Sequence, residues 1–180
     1  MLEFSTAIVG AGAAGLAAAI SAKRRGTSCV ICERLPKIGK KILASGNGRC
    51  NISNEDLSGV NYNEKSKGLV TSIFGKFGQS AIKDFFRGLG LQLVAEDNRL
   101  FPVTYQSSSV LKALELEVKK LGIPIELGFK VDRIESESKG FLVISASGDR
   151  IKCKSVIVTG GGKSYPALGS DAALTSSHPQ

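Results

Sequence analysis

The feature that most constrains this chain is a glycine-rich turn near its amino terminus, Gly10-Ala11-Gly12-Ala13-Ala14-Gly15. The apolar residues 6–9 before it predict a short buried strand without alternation, as in a parallel sheet. The Ala-rich residues 16–25 after it predict a helix, which Gly26 closes. Residues 28–32 predict a second buried strand, and Glu33 follows that strand directly. A strand–turn–helix–strand unit of this kind begins a dinucleotide-binding α/β fold.

Each glycine of the turn has a separate physical role. Gly10 permits the tight turn, Gly12 lets the backbone approach a pyrophosphate, and Gly15 lets the helix pack closely on the sheet. Free N–H groups and the helix dipole favour the pyrophosphate at the helix N-terminus. Glu33 can accept hydrogen bonds from ribose hydroxyls, which disfavours a 2′-phosphate. The predicted dinucleotide contacts are Gly10, Gly12, Ala14, Gly15, Glu33 and Arg34, and the turn alone is compatible with either FAD or NAD.

The net charge of +8 raises the question of a nucleic-acid partner. Residues 23–49 contain eight basic groups and one acid, so this segment carries +7 of the total. A nucleic-acid binder that uses this segment is an alternative interpretation. However, neither Phe nor Tyr occurs between residues 5 and 61, whereas single-strand binding surfaces stack bases on aromatic side chains. We therefore expect no nucleic-acid partner.

The uncharged stretch 4–22 is long enough on paper to span a bilayer. Only five of its residues are large and apolar, and the chain begins Met1-Leu2-Glu3 without the basic start of a secretory signal. We expect a cytoplasmic protein with no membrane partner. Four cysteines in 180 residues do not indicate a disulfide scaffold, and the single histidine excludes a His-rich metal site, so no metal is predicted.

Beyond the first unit, residues 34–68 contain few large apolar side chains and predict a long loop or loops. Apolar periodicity and turn residues predict the remaining elements. Helices are expected at 69–77, 80–87 and 107–121, and strands at 91–95, 99–103, 123–127, 130–134, 141–145, 150–154 and 155–158. One FAD-binding domain is expected over residues 1–171, followed by a disordered polar tail over 172–180.

Residues 39–54 are too rich in Gly, Asn and cations for a packing element and suit a backbone ribbon that wraps phosphates and an oxygen-rich ring. At this point the chain resembles the BaiN-like flavoproteins, also called the aminoacetone oxidase family of FAD-binding enzymes. The matching stretches lie in family order: the turn at 10–15 with Glu33, residues 39–54, residues 99–103, and residues 159–166 through Gly169-Ser170.

The resemblance implies an α/β fold of the glutathione-reductase type, a Rossmann-like parallel sheet that binds FAD or NAD(P). A small antiparallel β insertion is expected at 129–154, and the chain stops before the family's substrate domain. FAD is the implied cofactor, with NAD(P)H as a candidate electron donor. By resemblance, Val131 contacts the adenine through its backbone, Gly160 and Gly161 form a second glycine turn, and the flavin and its phosphates are lined by Lys41, Gly46, Gly48, Arg49, Cys50 and Asn51.

The implied function is an FAD-dependent oxidoreductase, or its N-terminal part, that transfers hydride between a small organic substrate and flavin N5. The alternative is a catalytically incompetent dinucleotide-binding fragment that needs a complementary C-terminal polypeptide. No residue is nominated as a catalytic acid or base, because the flavin itself carries the redox step. Cys29 and Cys32 have redox-motif spacing, but their place on a strand favours buried packing, and Cys50 is open to either a packing or a redox role.

Overall fold

The computed structural model describes residues 2–162. These residues form two compact units: residues 2–41 with 114–162, and residues 42–113. The predicted domain end at 171 and the predicted tail at 172–180 lie outside the described residues, as do Lys163, Tyr165 and His178.

The described residues contain five α-helices and nine strands. The helices are α1 (Ala13–Arg24), α2 (Lys40–Ala44), α3 (Glu64–Lys76), α4 (Gln79–Arg87) and α5 (Ser107–Lys120). The strands are β1 (Leu2–Val9), β2 (Cys29–Glu33), β3 (Ser53–Asn54), β4 (Leu93–Glu96), β5 (Arg99–Pro102), β6 (Ile125–Leu127), β7 (Val131–Glu137), β8 (Gly140–Ser145) and β9 (Arg150–Val158).

The first unit is built on a six-stranded sheet with the order β6-β2-β1-β9-β8-β7. Strands β6, β2, β1 and β9 are parallel to one another. Ile8 in β1 lies opposite Ile31 on one side and Ile157 on the other. All five residues of β2 are buried, as expected for a parallel strand covered on both faces. The predicted parallel sheet is therefore confirmed.

Strand β9 differs from its prediction. Two separate strands were expected at 150–154 and 155–158, whereas the structure has one continuous strand from Arg150 to Val158. Its first half pairs with both neighbours at once, because Ile151 lies opposite Leu2 in parallel β1 and opposite Val143 in antiparallel β8. The antiparallel strands expected at 129–154 thus belong to the same hydrogen-bonded sheet as the parallel strands.

Helix α1 packs on the sheet through a strip of small and apolar side chains. Its buried residues are Gly15, Leu16, Ala19 and Ile20, which recur one and four positions apart on one face. Within the same unit, Arg24 at the end of α1 bonds to the buried carboxylate of Glu117, with an Nη2–Oε1 distance of 2.8 Å. This ion pair joins the end of α1 to the carboxyl-terminal part of α5.

The second unit contains a three-stranded antiparallel sheet with the order β3-β5-β4. Asp97 and Asn98 connect β4 to β5, and both have positive φ angles, of 49° and 61°. A tight hairpin needs this geometry at both central residues, and Asn and Asp tolerate it better than most residues. The strands predicted at 91–95 and 99–103 are thus present as β4 and β5 and pair as a hairpin.

The long loop predicted over residues 34–68 is partly wrong, because short elements interrupt it. It contains α2, a 3-10 turn at Ser45–Gly48, strand β3 and a 3-10 turn at Gly59–Asn61. Helix α3 begins at Glu64, five residues before its predicted start, because the Asn63 side chain accepts a hydrogen bond from the N–H of Ser66. Asn is a favoured residue for capping a helix N-terminus in this way. No helix within residues 2–162 is long and apolar enough to cross a membrane.

Candidate nucleotide-binding site

The glycine turn lies in the first unit, where β1 ends and α1 begins. Gly10 has a φ angle of +105°, and a Cβ placed on it would lie 2.9 Å from the carbonyl oxygen of Thr159. Its N–H donates to the carbonyl of Cys32 at 2.8 Å. Only glycine satisfies both the backbone angle and the close approach of the neighbouring chain.

Gly15 answers a different requirement, the closeness of α1 to the turn that precedes it. A Cβ on Gly15 would lie 1.9 Å from the Gly10 carbonyl oxygen and 2.7 Å from Thr159 Oγ1. Both distances are far below a normal van der Waals contact. The predicted role of Gly15 in close packing is therefore visible in the geometry.

Thr159 joins the first glycine turn to the second one. Its N–H donates to the Val9 carbonyl at 2.9 Å, and its hydroxyl lies 2.8 Å from the same carbonyl and 3.1 Å from that of Gly10. The chain then continues into Gly160 and Gly161, the latter with a φ angle of +81°. The structure therefore brings Gly10 and Gly160 together at the carboxyl ends of the adjacent parallel strands β1 and β9.

Gly12 differs from Gly10 and Gly15, because nothing within residues 2–162 requires a glycine at this position. Its φ of −82° and ψ of −173° are open to any residue, and a Cβ would have no atom within 4 Å. Gly12 is the N-cap of α1, no side chain caps the helix, and its first turn has no acidic residue. Ala13 and Ala14 are exposed. The helix start thus presents N–H groups to open space, which fits a phosphate-bearing ligand.

Glu33 is more tightly held than the sequence indicates. Its side chain is buried, with 8% exposure, and each carboxylate oxygen accepts a backbone hydrogen bond. Ala11 N–H donates to Oε2 at 2.6 Å, and Leu35 N–H donates to Oε1 at 2.8 Å. Each oxygen keeps a second lone pair, so Glu33 can fix the turn and still accept from a ribose hydroxyl. Sequence reasoning missed this structural role.

Arg34 and Lys41, the next predicted cofactor contacts, lie on the segment that follows β2. Arg34 and Lys41 are half-buried, and between them Gly39 N–H donates to the Ala11 carbonyl at 3.0 Å. The segment that follows β2 is therefore bonded back to the glycine turn. Val131 begins β7, and its side chain packs in the core of the first unit, so only its backbone is available for the predicted adenine contact.

The other predicted flavin contacts, Gly46, Gly48, Arg49, Cys50 and Asn51, share one loop of the second unit. We define this loop as residues 45–51. Gly46, Asn47, Gly48 and Cys50 all have positive φ angles, of 56°, 53°, 83° and 58°. Such angles are costly for Asn and Cys, and they cluster at functional sites.

The half-exposed side chain of Arg49 contacts two aromatic rings and one carboxylate of the second unit. Its guanidinium carbon lies 4.4 Å from the ring centre of Phe101 and 4.6 Å from that of Tyr105. Its Nη2 bonds to Glu96 Oε1 at 2.7 Å. The hydrogen bonds from Arg49 and Tyr105 lower the pKa of Glu96, and the hydrogen bond to Glu96 raises the pKa of Tyr105. The sequence gives no local sign of this cluster.

The four cysteines are all buried and free. Burial raises the pKa of Cys32 to about 12 and raises the pKa values of Cys29 and Cys153. A thiol with so high a pKa is a poor nucleophile at neutral pH, so the packing interpretation of Cys29 and Cys32 is favoured. Among residues 2–162, no group of Cys, His, Asp and Glu side chains could hold a metal ion.

Comparison with known proteins identifies the family. The model of the HI0933-like protein Rossmann domain matches residues 4–178. The chain belongs to this HI0933-like family. The match confirms the resemblance to the BaiN-like flavoproteins and the predicted α/β, Rossmann-like, FAD-binding fold.

Two relatives of this HI0933-like chain have informative names. It is 38% identical over 168 residues to the 3-dehydro-bile acid delta(4,6)-reductase of Clostridium scindens, across 92% of this chain and 41% of that protein. It is 31% identical over 177 residues to the ribosomal RNA dihydrouridine synthase of Haemophilus influenzae, across 90% of this chain and 41% of that protein. The HI0933-like chain therefore spans less than half the length of these relatives.

A solved flavoprotein shares the fold. A flavocytochrome c3 fumarate reductase superposes with a TM-score of 0.61 at 21% identity, over 89% of this chain and 34% of that chain. At this identity the likeness concerns the fold alone. Together with the family match, it shows that the chain has a Rossmann-like fold of the kind found in FAD-binding flavoproteins.

Proposed function

We propose that this chain forms the FAD-binding part of a reductase that acts on a carbon–carbon double bond conjugated to a carbonyl group. The observation that carries the proposal is the open start of α1. Gly12 leaves space where neither the backbone angle nor packing requires a glycine, and the N–H groups of the first turn face that space. A phosphate-bearing cofactor explains both features.

Different residues of the first unit would bind different parts of FAD. The helix start at Gly12 and Ala14 would hold the pyrophosphate, and the dipole of α1 would favour its charge. Glu33 would accept hydrogen bonds from the adenosine ribose. Gly160 and Gly161 would leave room beside the pyrophosphate. When bound, FAD supplies a flavin N5 that exchanges hydride with the substrate, so this chain's own residues bind and orient.

The substrate class follows from chemistry that the two relatives' names have in common. A delta(4,6) double bond of a 3-oxo steroid is conjugated to the ketone. Dihydrouridine differs from uridine by two hydrogen atoms across the ring double bond that is conjugated to a carbonyl. Hydride addition to the far carbon of such a bond produces an enolate-like charge on the carbonyl oxygen, and a proton then completes the reduction. A conjugated enone is the class common to both names.

Small-molecule enones are the favoured member of this class, and NAD(P)H is the favoured electron donor. The basic segment 23–49 is the feature that favours RNA instead. However, two of its cations are already paired with carboxylates of this chain, Arg24 with Glu117 and Arg49 with Glu96. The relative that acts on a bile acid is also the more similar of the two, at 38% against 31% identity.

The chain spans 41% of the length of each relative. We propose that a complementary C-terminal polypeptide supplies the rest of the substrate pocket. A cytoplasmic location fits this chemistry and stays a prediction. If the chain binds FAD but accepts no hydride without that second polypeptide, the fragment interpretation holds.

The test is an anaerobic reduction of the FAD-loaded protein. NADH or NADPH is added and the visible flavin absorbance is followed, first alone and then with a 3-oxo-4-ene steroid or a uridine-containing RNA. Bleaching by the nicotinamide followed by recovery with the steroid supports the proposal. Recovery of the absorbance with the RNA but not with the steroid would show that the substrate is a nucleic acid. A protein that holds FAD and is never bleached contradicts catalysis by this chain alone.

A further inference from the structure

We propose that Arg49 is a positioning residue that fastens the loop 45–51 to the antiparallel sheet of the second unit and does not contact the cofactor phosphates itself. Only the link to FAD rests on the proposed function. The fastening itself is a property of the second unit and can be tested without a ligand.

The loop needs a fastening because its backbone is unfavourable by itself. Asn47 and Cys50 have positive φ angles, which L-residues with side chains adopt at a cost. Inside the loop, Arg49 N–H bonds to the Gly46 carbonyl and Cys50 N–H bonds to the Ser45 carbonyl, each at 3.0 Å. A Cβ on Gly46 would lie 2.9 Å from Asn51 N, so the loop closes tightly on itself. Such a conformation persists only when its surroundings hold it.

The guanidinium of Arg49 supplies that hold. Phe101 belongs to β5 and is 4% exposed, and Glu96 is the last residue of β4. Contact with both joins the loop to two strands of one sheet. Tyr105 covers the guanidinium from a backbone with a φ of 51°, an outlier for a bulky side chain. Its own N–H bonds to the Pro102 carbonyl at 2.8 Å, so the ring is held over Arg49 despite the strain.

The charge of Arg49 is already matched within the second unit. Glu96 neutralises it at 2.7 Å, and aromatic rings lie within 5 Å of the guanidinium on both Phe101 and Tyr105. A planar guanidinium can stack on rings and bond a carboxylate in its plane at the same time, whereas a lysine ammonium cannot. The arrangement therefore uses the shape of arginine as well as its charge.

Two variants separate fastening from direct phosphate contact. Glu96→Gln removes the partner of Arg49 and frees its positive charge. Direct contact predicts equal or tighter FAD binding in that variant, whereas fastening predicts weaker binding. Glu55→Gln is the matched control, since Glu55 pairs with Lys83 at 3.4 Å in the same unit and the same charge is lost. Arg49→Lys keeps the charge without the planar group.

Cys50 provides a readout that needs no cofactor. Its thiol is 7% exposed and follows Arg49 directly in the loop. The rate of thiol alkylation at each cysteine is measured by mass spectrometry on the protein without FAD. Cys29, Cys32 and Cys153 of the first unit, at 2%, 1% and 2% exposure, report whether the whole chain has loosened.

Fastening predicts that Arg49→Met raises the alkylation rate of Cys50 roughly tenfold, and Glu96→Gln roughly threefold, from the loss of stacking and of a partly exposed ion pair. Arg49→Lys resembles Arg49→Met, and Glu55→Gln resembles wild type. The three reference cysteines stay protected in every variant. FAD dissociation constants rise in the same order as the Cys50 rates.

Two results overturn the proposal. One is an unchanged Cys50 rate in Arg49→Met together with weaker FAD binding, which is the signature of direct contact. The other is equal or tighter FAD binding in Glu96→Gln. If the wild-type chain takes up no FAD, the proposed function fails, and the alkylation rates still decide whether Arg49 fastens the loop.

Discussion

Gly12 and Gly15 are three residues apart, and the structure predicts opposite consequences for the same substitution at each. In Gly12→Ala the new methyl group enters open space at the start of α1. Alanine is a poorer N-cap than glycine, which destabilises the folded chain by about 0.5–1 kcal/mol. Alanine also lowers the conformational entropy of the unfolded chain, which stabilises the folded chain by about 0.4–1 kcal/mol. These effects nearly cancel, so the free energy of unfolding should change by less than about 1 kcal/mol. The same methyl group should hinder the approach of a pyrophosphate.

In Gly15→Ala the new Cβ would lie 1.9 Å from the Gly10 carbonyl oxygen. One of the two backbone segments must then move by roughly 1 Å, and overpacking of this kind costs about 1–3 kcal/mol or more. The helix propensity of alanine returns about 1 kcal/mol. A contact of 1.9 Å with a backbone oxygen places the cost at the upper end of that range, so we expect a net loss of about 2 kcal/mol. Such a loss lowers Tm by about 2–4 °C per kcal/mol in a chain of this size.

The assay for both variants is thermal unfolding without cofactor, followed by an FAD titration of the folded protein. Gly12→Ala should unfold within a few degrees of wild type and bind FAD roughly tenfold or more weakly, which corresponds to about 1.4 kcal/mol. Gly15→Ala should unfold at a lower temperature. The reasoning is refuted if Gly12→Ala binds FAD with wild-type affinity, or if Gly15→Ala is as stable as wild type.

Three further predictions concern single groups. Glu33→Gln replaces one hydrogen-bond acceptor by an amide NH₂ that faces a backbone N–H. It should lower the free energy of unfolding, measured by urea denaturation, by about 1–3 kcal/mol. An unchanged free energy would show that the hydrogen bonds from Ala11 and Leu35 contribute little. Thr159→Val removes the hydroxyl that bonds the Val9 and Gly10 carbonyls at nearly constant volume, and should cost about 1 kcal/mol in the same measurement. The raised pKa of Cys32 means that its proton is held more tightly in the folded chain, so its contribution to stability is full below pH 9.0 and is lost as the pH rises toward about 12. The difference between the denaturation midpoints of wild type and Cys32→Val should therefore be constant below pH 9.0, and wild type should lose stability relative to Cys32→Val above it.

The nucleotide-binding half of the site could be predicted from sequence because its signals are local. The two buried strands, the spacing of Gly10, Gly12 and Gly15, and the position of Glu33 all fall within one short unit, and each answers a steric or electrostatic need of that unit. The structure adds a distinction that the motif hides. Protein geometry accounts for Gly10 and Gly15, and only Gly12 is left for a ligand to explain.

The remainder depends on contacts between residues distant in the chain. Arg49 and Glu96 are 47 positions apart, and no spacing rule joins them. Ala11 and Glu33 are 22 apart, so the bond between them appears only once β1 and β2 are paired. The break predicted between 154 and 155 is absent because one continuous strand pairs with two partners, Ile151 lying opposite both Leu2 and Val143. The cap at Asn63 was a local signal, and its sequence position directly before Glu64 could have revealed it.

The central claim is that the first unit binds a dinucleotide at the start of α1, and equilibrium dialysis of the purified chain against FAD tests it most directly. The account predicts that FAD is retained, that ADP competes with it, and that FMN, which lacks the adenosine and second phosphate, is retained far more weakly. Gly12→Ala should bind FAD roughly tenfold or more weakly while keeping its folded circular dichroism spectrum. A folded chain that takes up no FAD, or one that holds FAD and FMN equally well without competition from ADP, would contradict the account.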